Sequence, residues 1–320
     1  EESLSRYQST NGRQNIDSLF SIKYLMLKNY QNNVPSYFKR IKTSGQYNIY
    51  ENQLNLPSVK VTNRLYNSKN LKTPLDREHA MLKGAVVDSK GENFESHTPN
   101  LLNDAHITTK NITKVSRNTI KVNREMGSIN IHLPKKLRKQ YKDFYLTAYI
   151  KRGNPDSNYT VNVNQYLNNR LYNDSVYRIG VDTQLYRTQP DKNSDINIQL
   201  SPKGAFNFKL LNLTGENYKT LKDIHHKANF DMNYKDIKNG IKVQLGNHPK
   251  GLATINIPYR DGMRAYINGH KVDVKKVNYM MTGVPVNKND KTIIIKYEPP
   301  FLKIMIFISF ISIIFSMIYV

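Results

Sequence analysis

Four cations lie close together in one short stretch of the chain, at Lys135, Lys136, Arg138 and Lys139. Ammonium and guanidinium groups are the residue types that hold a phosphate backbone, by charge and by charge-assisted hydrogen bonds. The stretch is therefore a candidate polyanion-binding site, for example for a glycerol-phosphate chain. The alternative is an ordinary solvated turn in a chain that is basic throughout.

Side chains that can act as a general base are present, but none stands in a catalytic pattern. The acidic groups considered are Asp76/Glu78, Asp88/Glu92/Glu95 and Asp231/Asp236. All lie in polar sequence, where ionised, solvated carboxylates are expected. His225 and His226 diverge by about 100° on a helix, so we expect surface histidines rather than a metal site.

Several chemistries are excluded by composition and motif. The chain has no Cys, which excludes disulfides, thiolate metal sites and a Cys nucleophile;. It also has no P-loop, no dinucleotide-binding glycine motif and no serine-hydrolase elbow;. We therefore assign no catalytic residue, no cofactor-binding residue and no metal ligand.

The charge of the chain indicates polyanionic surroundings. Its formal net charge is +23 and its isoelectric point is about 9.8. Nucleic acid, anionic lipid headgroups and phosphate-rich wall polymer are the three partner classes that fit. Nucleic acid fits worst, because no helix-turn-helix, zinc-finger or RNP-type pattern is present. Charge alone does not decide the side of the membrane, since long domains translocate largely regardless of it.

The last twenty residues, 301–320, form a nearly unbroken apolar run, FLKIMIFISFISIIFSMIYV. About 20 apolar residues are enough to span a bilayer as a helix. We predict a single C-terminal transmembrane helix, with the preceding residues facing water. Residue 1 is not Met, and the first residues lack the pattern of a signal peptide, so the sequence is expected to be a piece of a longer protein.

The rest of the chain is predicted to be mainly β, with an N-terminal α/β part. We divide it into an α/β part at 1–95, a linker at 96–114, a jelly-roll-like β-sandwich at 115–225 and a small membrane-proximal β domain at 226–300;. The linker lies in a stretch, 90–119, whose composition turns to Ser, Thr, Asn, Gly and Pro;. The two β domains are expected to be antiparallel and sandwich-like. Prolines at 299 and 300 end the last strand before the membrane helix.

This prediction rests on short runs in which apolar and polar residues alternate. Strands are expected at 46–51, 144–150, 159–166, 176–181, 196–200, 206–210 and 292–297, and helices at 77–83 and 216–228;. Asn268 and Gly269 stand between two alternating runs, as in the type I′ turn of a β-hairpin.

Three C-terminal segments carry a resemblance to a known family. They are 257–272 (IPYRDGMRAYINGHKV), 277–286 (VNYMMTGVPV) and 295–300 (IKYEPP), and the segments at 21–25 and 49–57 agree with them. Together they resemble the YfhO family of bacterial polytopic membrane proteins. The positions that match the family pattern are Tyr259, Asp261, Gly262, Asn268, Gly269, Tyr297, Pro299 and Pro300, to which we give a structural role. Two positions depart from the pattern: Met263 replaces a usual Trp, and Phe301 a usual Gly.

The resemblance implies a membrane glycosyltransferase of the GT-C type in a Gram-positive bacterium. Such an enzyme would use a polyprenyl-phosphate sugar outside the cell to decorate a wall polymer of the lipoteichoic acid type. Its catalytic acid would lie in an upstream transmembrane part outside this chain. The chain would then be extracytoplasmic, with the membrane, that upstream part and anionic wall polymer as partners. The alternative is a non-enzymatic, membrane-anchored surface module that binds anionic wall polymer or partner proteins.

Overall fold

The chain is mainly β, with several antiparallel sheets and a C-terminal helix, as predicted. The computed structural model describes residues 10, 12–31, 34–152, 159–164, 168–172, 183–190, 193 and 195–319. The predicted strand at 176–181 lies outside the described residues.

The N-terminal segment forms a short helix and a small sheet. Its elements are α1 (Gln14–Leu19), β1 (Tyr24–Lys28), β2 (Phe38–Ser44) and β3 (Tyr47–Asn52). The three strands pair antiparallel in the order β1-β3-β2, and we call them the N-terminal sheet. Gly45 has a φ of 56° in the turn between β2 and β3, a conformation that glycine adopts without strain;. The predicted strand at 46–51 is thus confirmed as β3.

A parallel crossover follows the N-terminal sheet. Its elements are β4 (Val59–Thr62), β5 (Leu65–Asn67), α2 (Pro74–Lys83) and β6 (Ala85–Val87). β5 and β6 pair in parallel on either side of α2. The predicted helix at 77–83 begins earlier, because Thr73 and Asp76 form a capping box and Pro74 occupies the first turn;.

Two five-stranded antiparallel sheets form the middle of the molecule. Their strands are β7 (His106–Lys110), β8 (Ile112–Lys114), β9 (Thr119–Val122), β10 (Gly127–His132), β11 (Asp143–Arg152), β12 (Tyr159–Val163), β13 (Asn168–Tyr172), β14 (Thr183–Thr188), β15 (Asp195–Ser201) and β16 (Gly204–Glu216). Helix α3 (Lys135–Gln140) joins β10 to β11, and α4 (Lys219–His226) follows β16. The sheet orders are β13-β12-β15-β10-β7 and β14-β11-β16-β9-β8.

Alternating side chains from the two sheets share one hydrophobic core. Ile129, Ile131 and Ile198 face inward from one sheet, and Leu146 and Phe206 from the other. This alternation is the period-2 signal that predicted strands here. We call these two sheets the sandwich.

The predicted linker at 96–114 needs correction, because it contains β7 and β8. β7 pairs with β10 in one sheet of the sandwich, and β8 pairs with β9 in the other. The Thr-rich composition of 106–114 misled the prediction, since threonine also favours strands.

The C-terminal β strands form a second pair of sheets. The elements are β17 (Asn233–Ile237), β18 (Gly240–Gln244), β19 (Gly251–Pro258), β20 (Met263–Ile267), β21 (His270–Val272), β22 (Lys275–Val277), β23 (Met281–Val286) and β24 (Thr292–Tyr297). The sheets run β17-β18-β24-β20-β21 and β22-β23-β19-β4. β4 comes from residues 59–62, so the predicted membrane-proximal domain at 226–300 takes one strand from the N-terminal part. The partner of β4 lies about 190 positions away along the chain, and a local pattern cannot identify it.

Helix α5 (Leu302–Tyr319) ends the described chain. The predicted C-terminal helix is therefore present. Within the described part of the chain, however, no helix has both the length and the apolarity of a membrane crossing. The transmembrane assignment of 301–320 thus stays a prediction.

Candidate functional site

The predicted polyanion site lies on α3, at the end of β10. Leu137 is buried in the sandwich core and fixes the helix, while Lys135, Lys136, Arg138 and Lys139 are all exposed. One inward residue among four outward ones is what a short surface helix needs. The structure therefore brings all four cations together on one exposed turn.

Three of the residues that match the family pattern, Gly262, Pro299 and Pro300, lie close together where the chain enters α5. Gly262 has a φ of 93°, and a Cβ there would lie 2.1 Å from the carbonyl oxygen of Glu298. The Glu298 N–H donates to the Gly262 carbonyl at 3.0 Å, which fixes the segment before Pro299 and Pro300. Only glycine fits this close approach.

The structure also shows the conformation of the hairpin residues, Asn268 and Gly269, and of the two positions that depart from the family pattern, Met263 and Phe301. Asn268 and Gly269 have φ values of 51° and 81°, which confirms the type I′ turn;. Met263 pairs with Tyr297 across β20 and β24. Phe301 has a φ of 63°, so the residue before α5 holds a conformation that favours the glycine usual in the family;.

A buried polar network that the sequence analysis did not predict lies between the helices and the sandwich. Its first centre is Asp143, which is fully buried at the start of β11. Arg187 Nη2 donates to Asp143 Oδ1 at 2.9 Å, and Gln189 Nε2 donates to the same oxygen at 2.8 Å. Ser36 Oγ donates to Oδ2 at 2.6 Å, and the Tyr218 hydroxyl donates to Oδ2 as well. Four segments of the chain thus meet at one carboxylate.

The second centre of the network holds two carboxylates, Glu78 on α2 and Glu216 on β16. Asn15 Nδ2 lies 3.1 Å from Glu78 Oε2 and 2.7 Å from Glu216 Oε2, so one amide bridges both. Arg13 donates to Glu78 at 2.8 Å, and His79 lies 2.7 Å from Glu216. We call the residues around these two centres the buried junction.

Burial controls the protonation of the junction. It raises the pKa of Glu78, and the attraction of Arg13 opposes this shift. It also raises the pKa of Tyr145 and Tyr218 well above the usual range of a phenol. Both hydroxyls therefore stay protonated and donate, Tyr145 to Glu78 at 3.0 Å and Tyr218 to Asp143. Asp17 lies nearby, and burial raises its pKa to about 6.

The junction is closed to a substrate. The side chains of Glu78, Glu216 and Asp143 are at most 1% exposed, whereas their partners Arg13 (22%) and His79 (18%) reach the surface. A general base must come within hydrogen-bond reach of the proton that it removes. The buried carboxylates can therefore join elements of the fold, and a substrate cannot reach them.

The acidic groups considered in the sequence separate into two classes. Asp76 and Glu78 are 1% exposed, so the expectation of solvated carboxylates is wrong for them. The reason is that Glu78 lies three residues after Leu75 and four residues before Leu82. These three side chains therefore share the inward face of α2. That spacing is the signal that could have predicted its burial. The other acidic residues considered are exposed: Asp88, Glu92, Glu95, Asp231 and Asp236.

His225 and His226 on α4 differ in their contacts and in their exposure. His225 Nδ1 lies 2.8 Å from the carbonyl oxygen of Asn55, to which it donates. The ring centroids of His225 and His226 are 6.3 Å apart. His226 is exposed and His225 half-buried, so one surface-histidine expectation holds fully and the other in part.

A cavity of about 330 Å³ lies between α2, α4 and the sheet that contains β4. Its lining is largely apolar, and Lys60 is its most buried cation. Burial lowers the pKa of Lys60 to about 7. The Lys60 ammonium donates to the carbonyl oxygens of Met81, Leu82 and Gly84 at 2.6–3.1 Å, so it caps the C-terminal end of α2;. All three of its donors are used, and Lys60 is therefore not an anion ligand in this cavity.

Comparison with known proteins identifies relatives of the chain. The family model described as "Bacterial membrane protein YfhO" matches residues 1–309. The YfhO protein of Bacillus subtilis (strain 168) is 32% identical over 326 residues. That alignment covers the whole of this chain and 37% of the relative, so the chain spans little more than a third of the relative's length.

Two solved structures show weak similarity. The arabinofuranosyltransferase AftD from Mycobacteria is 8% identical, with a TM-score of 0.18, over 47% of this chain and 12% of that one. The binding domain of botulinum neurotoxin DC is 7% identical, with a TM-score of 0.20, over 63% of this chain and 91% of that one. At these scores neither similarity carries an argument.

The ion pair at Asp143 should contribute strongly to stability. Arg187→Met keeps most of the side-chain bulk but leaves a buried carboxylate without its cation, which we expect to cost about 3 to 5 kcal/mol in the free energy of unfolding. The matched control is Arg264→Met, because Arg264 pairs with Glu298 at 3.0 Å with both side chains 42% exposed. The control should cost less than about 1 kcal/mol. Urea denaturation measures both, and equal losses would contradict the importance of the junction.

Asp17 should make stability depend on pH. Its pKa is about 6 when folded, against an ordinary 3.8, so the folded state binds the proton more tightly. Stability is then lost as pH rises between these two values, by about 3 kcal/mol at about 1.4 kcal/mol per pKa unit. Asp17→Asn removes this loss. We expect the variant to be more stable than the parent by about 2 to 3 kcal/mol at neutral pH, and equal to it below the lower value. A difference that does not change with pH would contradict this assignment.

Proposed function

Since this chain belongs to the YfhO family of bacterial membrane proteins, we propose that it is the extracytoplasmic, polymer-holding part of a membrane glycosyltransferase. The enzyme is of the GT-C type and transfers sugar from a polyprenyl phosphate to a wall polymer of the lipoteichoic acid type. The family resemblance of the sequence supports the reaction class, and the basic surface supports an anionic acceptor.

The observation that carries the binding role is the outward display of four cations on α3. Lys135, Lys136, Arg138 and Lys139 lie within about 6 Å along the helix axis, at 1.5 Å per residue;. Leu137 anchors the helix, so the charges are held in a fixed arrangement rather than on a free loop. A polymer with one phosphate per repeat would release counterions when it contacts such a patch.

The proposal places α5 in lipid. Its apolar side chains are widely exposed, among them Ile304 (55%), Phe307 (66%), Phe310 (64%) and Met317 (77%). A side chain of this size gains about 1.5 to 3 kcal/mol when it leaves water. Insertion of α5 would hold the β units close to the bilayer, because only Glu298, the two prolines Pro299 and Pro300, and Phe301 separate β24 from α5;.

The catalytic acid is proposed to lie in the part of the full-length protein that this chain does not cover. The chain corresponds to 37% of its relative's length. The acids of the buried junction are enclosed and have structural partners, so they are poor candidates for a base at an acceptor hydroxyl. The chain then contributes by raising the local concentration of acceptor polymer.

Binding to purified lipoteichoic acid tests the α3 site. We expect affinity to fall steeply with salt, and replacement of Lys135, Lys136, Arg138 and Lys139 by Gln to lower both the affinity and the salt slope. With a slope of about 0.7 per phosphate contact, the loss of four contacts lowers the slope by about 3. The matched control replaces four exposed cations elsewhere, Arg117, Lys238, Lys271 and Lys288. Equal losses in the two quadruple variants would show that α3 is no focused site.

The same substitutions in a full-length family protein test the enzymatic part. If the chain holds acceptor for sugar transfer, the α3 variant should raise KM for the polymer and leave kcat nearly unchanged. If it is a non-enzymatic surface module, polymer binding should respond to the variant while no sugar transfer from a polyprenyl phosphate is detected. That second outcome would overturn the glycosyltransferase proposal.

A further inference from the structure

The N-terminal sheet buries little apolar surface. Phe38 at the start of β2 is its one buried hydrophobic side chain among the described residues, and no hydrophobic cluster there includes a side chain from β1, β2 or β3. A three-stranded sheet with so small a packed face is marginal in water. A further contact on its open face would therefore stabilise it.

Large apolar side chains project from this sheet into solvent. Tyr24 is 53% exposed, Met26 63% and Ile41 52%, and Tyr30 in the turn after β1 is 74% exposed. Met26 stands opposite Ile49, which is half-buried on the neighbouring strand, so apolar side chains continue from β1 to β3 on this face. Contiguous apolar exposure of this kind marks a contact surface.

Positive charge surrounds these apolar residues. Between residues 21 and 52 the cations are Lys23, Lys28, Lys39, Arg40 and Lys42, and the only acidic residue is Glu51. The Lys23 ammonium lies 5.3 Å from the centroid of the Tyr24 ring, and Lys28 lies 5.9 Å from that of Tyr30. Lysine is depleted in protein–protein interfaces. Lysine beside tyrosine is instead typical of surfaces that meet lipid headgroups.

The sheet begins at the end of the molecule from which α5 leaves. Asn256 Nδ2 donates to the Phe20 carbonyl at 3.0 Å and to Ser21 Oγ at 2.9 Å, just before β1. Asn256 is two residues before Pro258, where β19 ends, and the loop that follows contains Gly262. That glycine contacts the Glu298 segment that leads into α5. The sheet and α5 are thus joined through one short stretch of structure.

We propose that the N-terminal sheet docks on the anionic surface of the bilayer that receives α5. Tyr24, Met26 and Ile41 enter the headgroup region, and the lysines pair with lipid phosphates. Lys39 and Lys42 lie on the same face as Tyr24 and Met26 by the strand register. Basic residues near such a surface are attracted to its negative charge. The inference rests on the proposed insertion of α5, and it is independent of polymer binding and sugar transfer. Once α5 has inserted, the N-terminal sheet meets the bilayer at high effective concentration. These two attachment points together fix the orientation of the β units.

Site-specific fluorescence on the full chain tests this docking, since the chain contains no Cys. Single variants Met26→Cys and Ile41→Cys carry an environment-sensitive dye on the sheet. Ile313→Cys reports on α5, and Ile107→Cys on β7 is the exposed control, with a parent side chain 43% exposed. The protein is reconstituted with vesicles of phosphatidylcholine, or of phosphatidylcholine and phosphatidylglycerol in equal parts.

We expect dyes at 26, 41 and 313 to shift to the blue and to be quenched by brominated lipid in the anionic vesicles, while the dye at 107 does neither. In neutral vesicles only the dye at 313 should stay quenched. Changing Lys39 and Lys42 to Gln should reduce quenching at 26 several-fold, and changing the exposed Lys238 and Lys271 to Gln should leave it unaltered.

Three outcomes would overturn the proposal. Dyes at 26 and 41 that behave like the dye at 107, while 313 is quenched, would refute sheet docking and leave the insertion of α5 intact. A blue shift without lipid quenching would show that protein covers the sheet. Equal quenching in neutral and anionic vesicles would refute the role of charge. Loss of quenching at 313 would instead refute the proposed insertion of α5.

Discussion

Three buried carboxylates, Asp143, Glu78 and Glu216, constrain how this chain can fold. A carboxylate taken out of water without donors is costly, so each must be met by hydrogen-bond donors or cations. The donors come from segments far apart in sequence: Asn15 reaches Glu216 across 201 positions, and Ser36 reaches Asp143 across 107. The N-terminal segment, α2 and the sandwich must therefore dock together. Buried ion pairs are weak evidence for stability, and we interpret the junction mainly as a device that selects one arrangement of these parts.

The junction also explains how the α3 cations and the N-terminal sheet can be held in a fixed arrangement. β4 enters the C-terminal sheets while α2, only eleven residues later, enters the junction. A movement of the C-terminal sheets relative to the sandwich would have to break one of these attachments. The cations of α3 and the exposed face of the N-terminal sheet are then presented from a common scaffold. The proposed polymer-holding role would benefit from such rigidity, because less entropy is lost on binding.

Local patterns predicted local structure well, and distant partnerships poorly. The Asn268–Gly269 turn, β3, the inner strands of the sandwich and the helical form of 302–319 follow from period, turn chemistry and apolar length. The exposure of the α3 cations follows from their spacing around Leu137. The junction was missed because the donors of Asp143 and Glu216 lie in segments that no local window joins. Glu78 alone carried a readable signal, its place between Leu75 and Leu82 on the inward face of α2. The linker at 96–114 failed because Thr and Asn occur in both loops and edge strands.

The central claim is that the junction makes α2 and the sandwich a single cooperative unit. Native-state hydrogen exchange measures this directly, because amides that open only together share one opening free energy. We predict that the most protected amides of α2, β11 and β16 exchange with the same free energy, equal to that of global unfolding, and respond equally to added denaturant. Exchange of the α2 amides through a separate opening of lower energy, while β11 and β16 remain protected, would contradict the account.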